Sequence, residues 1–173
     1  MNKLSKILLL CLICFIAGAF TLKTGITYTV DNARVLAFEG IKPHINIQEY
    51  KTFFFDKNSI QNKNAIIKNK LKFRDREIQI FSDGKYSLLF KENTTRYFIY
   101  NKSGKLEIIV FYINNKYPKK SVAYDIYGNL SSIAISVKKD EQFVFDENKK
   151  LLAHWIGKNC YNEQGELIMT REY

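Results

Sequence analysis

The chain has 173 residues, 27 basic against 17 acidic side chains, a net charge of +10, 46% hydrophobic residues and 14% aromatics. That hydrophobic content excludes a disordered chain, and 3 Cys exclude a disulfide-stapled mini-domain. With 8 Gly and 2 Pro it is not collagen-like or linker-like, and its length suits one domain with a real core.

In chain order, Lys3 and Lys6 precede an unbroken apolar run from Ile7 to Phe20, with Ala17-Gly18-Ala19 at its end. A positive start, a short apolar stretch and a small-residue exit describe a secretory signal peptide over residues 1–19. The run falls short of the roughly 20 residues that a bilayer-spanning helix needs, so a retained anchor through residues 7–22 is the alternative. Leu10 and Ile13, before Cys11 and Cys14, are too large for a lipoprotein cleavage site. Cleavage after Ala19 would leave Cys160 as the only thiol, unable to form an internal disulfide.

Residues 20–173 read as a single all-β domain, a meander of hairpins forming a twisted or curled sheet. Ile26 to Val30 and Arg34 to Phe38 flank Asp31-Asn32-Ala33 and suggest a first hairpin. Residues 45–75 are Lys- and Asn-rich, and one short helix within 45–70 or two further strands fit them equally. From residue 81 a unit recurs: an aromatic, Asp or Asn, two variable residues, Gly, one residue, Leu. It appears as Tyr100-Asn101-Lys102-Ser103-Gly104-Lys105-Leu106, Tyr124-Asp125-Ile126-Tyr127-Gly128-Asn129-Leu130 and Tyr161-Asn162-Glu163-Gln164-Gly165-Glu166-Leu167. A degenerate copy, Phe145 to Leu151, has Lys149 where Gly is expected, and Phe81-Ser82-Asp83-Gly84 is a shorter cousin. Asp or Asn can accept hydrogen bonds from amides two or three residues on, and Gly can take the positive φ that closes a bulged turn. Gly84, Gly104, Gly128 and Gly165 are therefore the structural turn positions, and the Lys149 turn is expected to be looser.

Between the turns, strands are predicted over Glu77–Phe81, Tyr86–Phe90, Arg96–Tyr100, Leu106–Ile113, Leu130–Val137, Gln142–Phe145, Leu151–Ile156 and Ile168–Tyr173. Leu130–Val137 alternates, with Ile133, Ile135 and Val137 on one face and Ser132, Ala134 and Ser136 on the other. Leu106–Ile113 is apolar on both faces, as for a central strand covered on both sides.

The recurring unit, carried by Tyr100, Gly104, Tyr124, Gly128, Tyr161 and Gly165, resembles the YD-type (RHS-like) repeats of bacterial surface and secreted proteins. It is similar also to the hairpin repeats of MORN-variant proteins. The resemblance spans about residues 81–173 and implies an extended or curled antiparallel sheet with interaction roles. It implies no catalytic residue, and uneven intervals and few copies set the chain apart from the long RHS pattern.

Chemistry-bearing motifs are sparse. His44 and His154 lack partners at metal-ligand spacing, so no metal and no cofactor are expected. His154 lies six residues before Cys160 and could form a thiolate–imidazole dyad if both share a face, although a packed His and a buried Cys explain them as well. Charge says more. Lys68, Lys70, Lys72, Arg74 and Arg76 form an every-second-residue row that one strand would place on one face, and Lys116, Lys119 and Lys120 add a second cluster. These residues are the candidate patch for an anionic lipid or wall polymer; the competing reading is solubilising charge that blocks sheet edges. Nucleic acid is disfavoured as a partner for an exported chain. The expected role is a non-catalytic binding or structural module, secreted or at the envelope, with an unidentified protein or an anionic envelope component as partner. The rivals are a basic-patch binder and a small enzyme using the His/Cys pair.

Overall fold

The computed structural model describes residues 28–56, 70–81 and 83–171. The expected signal segment, Cys11 and Cys14, and Lys68 lie outside the described residues. The described residues form one antiparallel meander of eleven strands whose spatial order is their sequence order. The strands are β1 (Lys70–Lys72), β2 (Arg76–Ile80), β3 (Tyr86–Phe90), β4 (Arg96–Tyr100), β5 (Leu106–Tyr112) and β6 (Lys119–Asp125). They continue as β7 (Leu130–Lys138), β8 (Glu141–Asp146), β9 (Leu151–Ile156), β10 (Asn159–Tyr161) and β11 (Leu167–Thr170). The sheet is open, so the all-β meander expected from the sequence is the architecture found.

The recurring unit builds one hairpin each time. Asn101, Asp125, Asp146 and Asn162 each use Oδ1 to accept the amides two and four residues on, at 2.8–3.1 Å. The second amide is thus one residue further along than the turn chemistry alone suggested, because the side chain spans the whole loop to the first residue of the returning arm. Gly104, Gly128 and Gly165 hold φ of 79°, 86° and 80°, and Gly84 holds 80°. Lys149 takes the same left-handed conformation at φ 68°. Its turn is not looser: Asp146 Oδ1 accepts from Asn148 and Lys150 at 2.9 and 2.8 Å. In all four units the aromatic then faces the Leu across the ladder, and the next residue on the returning strand is bulged out. A repeated bulge adds twist at the same place in every hairpin.

The first expected hairpin is replaced by a helix, α1 (Val30–Phe38). The Thr29 hydroxyl accepts the Asn32 amide at 3.2 Å, Asp31 sits in the first turn, and Ala33 and Ala37, one turn apart, are fully buried. Small residues at that spacing let the helix lie close on the sheet, which outweighs the β-prone look of Val35-Leu36. A 3-10 helix follows at Ile47–Phe53, inside the region where a short helix was one reading.

These two elements cover one face of the sheet and divide its core. Under α1 lie Ile133, Ile135, Val137, Phe143 and Phe145; under the 3-10 helix lie Ile78, Leu88, Phe98, Tyr100 and Ile109. Phe111 packs against both clusters. Ile133, Ile135 and Val137 are buried as the alternation predicts, while Ser132, Ala134 and Ser136 lie on the opposite, helix-free face. On β5, the neighbours Ile109 and Val110 point to opposite faces and are both buried.

The segments on either side of the 3-10 helix act as a strap along one end of the sheet. The Ile45 amide donates to Gly128 O at 2.9 Å, and the Asp56 amide donates to Gly104 O at 2.8 Å. The Leu130 and Leu106 amides return bonds to Pro43 O and Phe54 O, both at 2.9 Å. At the Lys149 turn, Arg34 Nε supplies the matching donor to Lys149 O at 2.9 Å. The N-terminal layer therefore caps three successive turns in the reverse of their chain order.

Two tyrosines at this end of the sheet are also tied to the strap. Tyr86 donates its hydroxyl to Asp56 at 3.0 Å, and Tyr124 donates to Lys42 O at 2.9 Å. Burial, then the Asp56 carboxylate, raises the pKa of Tyr86 and Tyr100, and burial raises that of Tyr124. Tyr97, on the other face, is pushed up to about 12 by burial and by Tyr112. The folded state therefore holds these protons more tightly than the unfolded chain. Their contribution to stability is complete below the ordinary tyrosine pKa of about 10 and drains away as pH rises above it. Urea midpoints should fall between about pH 10 and about pH 12, and fall less in Tyr97→Phe; a flat alkaline profile would contradict this.

Candidate functional site

The meander sorts its connections by end. All the Gly-type turns lie at the strapped end, whereas the connections 73–75, 91–95, 113–118, 139–140 and 157–158 lie at the other. Lys72, Arg74 and Arg76 of the first basic cluster and the Lys116–Lys120 cluster, forty residues further on, both fall at this second end, whereas Lys70 pairs with Gln79 toward the other. Counting each connection with the strand residue on either side, the open end carries ten basic side chains and four acidic ones. The strapped end carries five basic and six acidic. The molecule is electrostatically polarised along its strands.

The row from Lys68 to Arg76 does not form one strand face. Phe73 donates its amide to Arg76 O at 2.8 Å, so the chain reverses between β1 and β2. Lys70 and Lys72 belong to β1, Arg74 to the connection, and Arg76 opens β2. Alternation of charge predicted a strand, but the Arg74-Asp75 step supplies the turn, and Asp75 pairs with Arg76 at 2.7 Å. That pairing holds the Asp75 carboxyl below its usual range.

The members of the patch differ in what occupies them. Lys120 donates Nζ to Glu39 O, the carbonyl just past α1, at 2.9 Å; partial burial pulls its pKa down. It serves the helix end, as cations there generally do. Lys119 Nζ lies 4.6 Å from the Tyr117 ring centroid. Lys72, Arg74, Lys116 and Lys119 are exposed. The connection that presents Lys116 is braced by Asn114, which donates to Pro118 O at 2.7 Å and accepts the Lys120 amide at 2.6 Å. Ile113 and Lys120 close its base through a 2.8 Å backbone bond.

His154 and Cys160 are not brought together. Tyr161 pairs with His154 and Cys160 with Trp155, so the His and Cys side chains leave opposite faces. His154 stacks on Phe143 at 4.0 Å and bonds Glu141 at 2.9 Å. Cys160 is buried. His44 bonds Asn129 at 3.2 Å within the strap. Among the described residues no cluster of His, Cys, Asp or Glu could hold a metal ion, and no helix is long and apolar enough to cross a membrane.

The helix-free face carries two shallow depressions. One, of about 250 Å³, is lined by Gln79, Ser87, Leu89, Tyr97 and Tyr112 among others; the second, of about 650 Å³, by Ser136, Gln142 and Trp155 with Arg171. Arg171 lies 3.5 Å over the Trp155 ring. Charge spacing led toward the patch, but the apolar residues set among its cations, Phe73, Ile113 and Tyr117, were missed. Their only signal in the sequence is an apolar side chain inside a turn-like polar stretch. Comparison with known proteins finds no family model, no curated protein and no solved structure that matches this chain.

Proposed function

We propose that the protein is an exported, non-catalytic binding or structural module of the envelope or the secreted space, working through the surface of its sheet. The observation that supports this reading is the division of labour in the fold. Among the described residues, one face is packed under the two helices and three turns at one end are capped by the strap, while neither helix nor strap covers the other face or the other end. The recurrence of turn and bulge supports kinship with YD-type and MORN-variant hairpin repeats, which implies interaction roles. The apolar start of the sequence supports export.

Cell fractionation with an antibody to the sheet tests the address, and co-sedimentation of the purified chain with isolated envelopes tests the binding. The chain should be found in the envelope or the medium and should co-sediment. A wholly cytosolic pool that keeps residues 1–19, or a chain that stays in the supernatant, contradicts the reading.

A further inference from the structure

The open end of the sheet combines two features that the sequence keeps apart. It holds the excess of cations described above. It also exposes Phe73, Tyr112, Ile113, Tyr117 and Ile156, each 40–56% accessible and each on or beside a connection at that end. Exposed apolar side chains occur elsewhere, at Val35, at Leu152, at Phe55 and Tyr127 on the strapped end beside Lys105, and along β11, but the strapped end has no net excess of cations. A solubilising shell would not need apolar tips between its lysines. A site for a polyphosphate-like polymer would not need them either, since such a ligand offers polar contacts alone. A lipid surface rewards both at once: headgroup phosphates attract the cations, and aromatic and aliphatic tips settle at the boundary with the acyl chains.

The 113–118 connection is built for this. Ile113 and Tyr117 flank the exposed Lys116, and the Asn114 brace and the backbone bond at the base hold the tip in one conformation. Little ordering entropy is then left to lose on contact. Lys119, stacked over Tyr117, adjoins the tip, and Arg74 on the β1–β2 connection, beyond the 91–95 connection, extends the basic surround along the same end. We propose that the end of the sheet formed by connections 73–75, 91–95, 113–118, 139–140 and 157–158 docks on an anionic phospholipid surface, with Ile113 and Tyr117 entering the interface and Lys116 at its headgroups. This rests on the envelope reading above and names the partner of that module.

The test must tell this end of the sheet from any membrane contact made by the apolar start of the chain. Trp155 is the only Trp. Two reporters can therefore be made in the full chain on a Trp155→Phe background, one with Ile113→Trp and one with Tyr127→Trp at the strapped end. Both are mixed with vesicles of brominated phosphatidylcholine, with or without phosphatidylglycerol. Emission from position 113 should be quenched only when phosphatidylglycerol is present, and emission from 127 should not. Lys116→Glu should weaken the vesicle response about tenfold, whereas Lys150→Glu at the strapped end should leave it unchanged. Circular dichroism of each variant confirms an unaltered sheet, and Tyr117→Ser gives a second loss without touching a charge.

Equal quenching at both positions, no quenching at 113, or quenching that ignores phosphatidylglycerol each overturns the proposal. Salt-sensitive binding to polyphosphate without quenching at 113 also overturns it, in favour of a polymer ligand. Co-sedimentation with envelopes would then still stand, which separates failure of the lipid assignment from failure of the envelope reading.

Discussion

Gly128→Ala is expected to cost on the order of 3 kcal/mol of stability, read as a fall in the urea midpoint with little change in slope. Two penalties add. The residue holds φ 86°, where a side chain costs about 1–2 kcal/mol. A Cβ there would also fall within 3.0 Å of Ile45 O, a backbone atom of the strap that cannot swing aside. Gly104→Ala should behave alike, because its Cβ would meet Asp56 O just as closely. Gly165→Ala is the internal control: its φ is 80° but nothing lies within 4 Å of the added atom, so only about 1–2 kcal/mol should be lost. The converse change, Lys149→Gly, removes a side chain from φ 68° and should raise the stability by up to about 1 kcal/mol. Equal losses at 128 and 165 would mean that the strap yields and that backbone conformation alone sets the cost.

Phe98→Ala is expected to cost about 4 kcal/mol, the range for deleting a buried aromatic. Phe98 is 1% exposed and central to its cluster. Its ring stacks on Phe53 at 4.3 Å and meets Phe90 and Tyr50 at 6.1 and 6.5 Å. Deleting it opens a cavity between the sheet and the 3-10 helix, and so loosens the strap as well as the strands. Neighbouring backbone cannot collapse to fill the space, because the ladder on both sides fixes the spacing of β3, β4 and β5. Leu152→Ala, at a bulged and half-exposed position, should change the stability by less than about 1 kcal/mol. Comparable effects at 98 and 152 would show that the aromatic cluster is not a principal source of stability.

The hairpin train was legible in the sequence because its signals are local. Tyr86–Phe90, Arg96–Tyr100 and Leu151–Ile156 have the bounds that alternation and flanking turns predict. β6 was passed over because Lys119-Lys120-Ser121 resembles a loop, although Val122 and Tyr124 behind it are buried. β1 and β10 are three residues each, too short for periodicity to register. α1 was misread because what fixes it is distant: the close fit of Ala33 and Ala37 on β7 and β8 is invisible to a window over residues 26–38. The basic residues were visible singly. Their convergence on one end depends on strand direction, which only the full order of the meander supplies.

The reversed order in which the N-terminal layer meets the turns bears on how the chain reaches this structure. Each hairpin closes over a few residues and can form early, at little entropic cost. The strap has no such local route: Arg34 bonds a carbonyl 115 residues away, and Ile45 and Asp56 must wait for turns made much later in the chain. The strap thus leaves the ribosome before the turns it caps and finds its partners only once they have formed, and until then the aromatic cluster around Phe98 has no lid. Folding should show a fast phase of sheet formation and a slower phase of strap docking, and a chaperone that holds the unfolded chain would act in the interval between them.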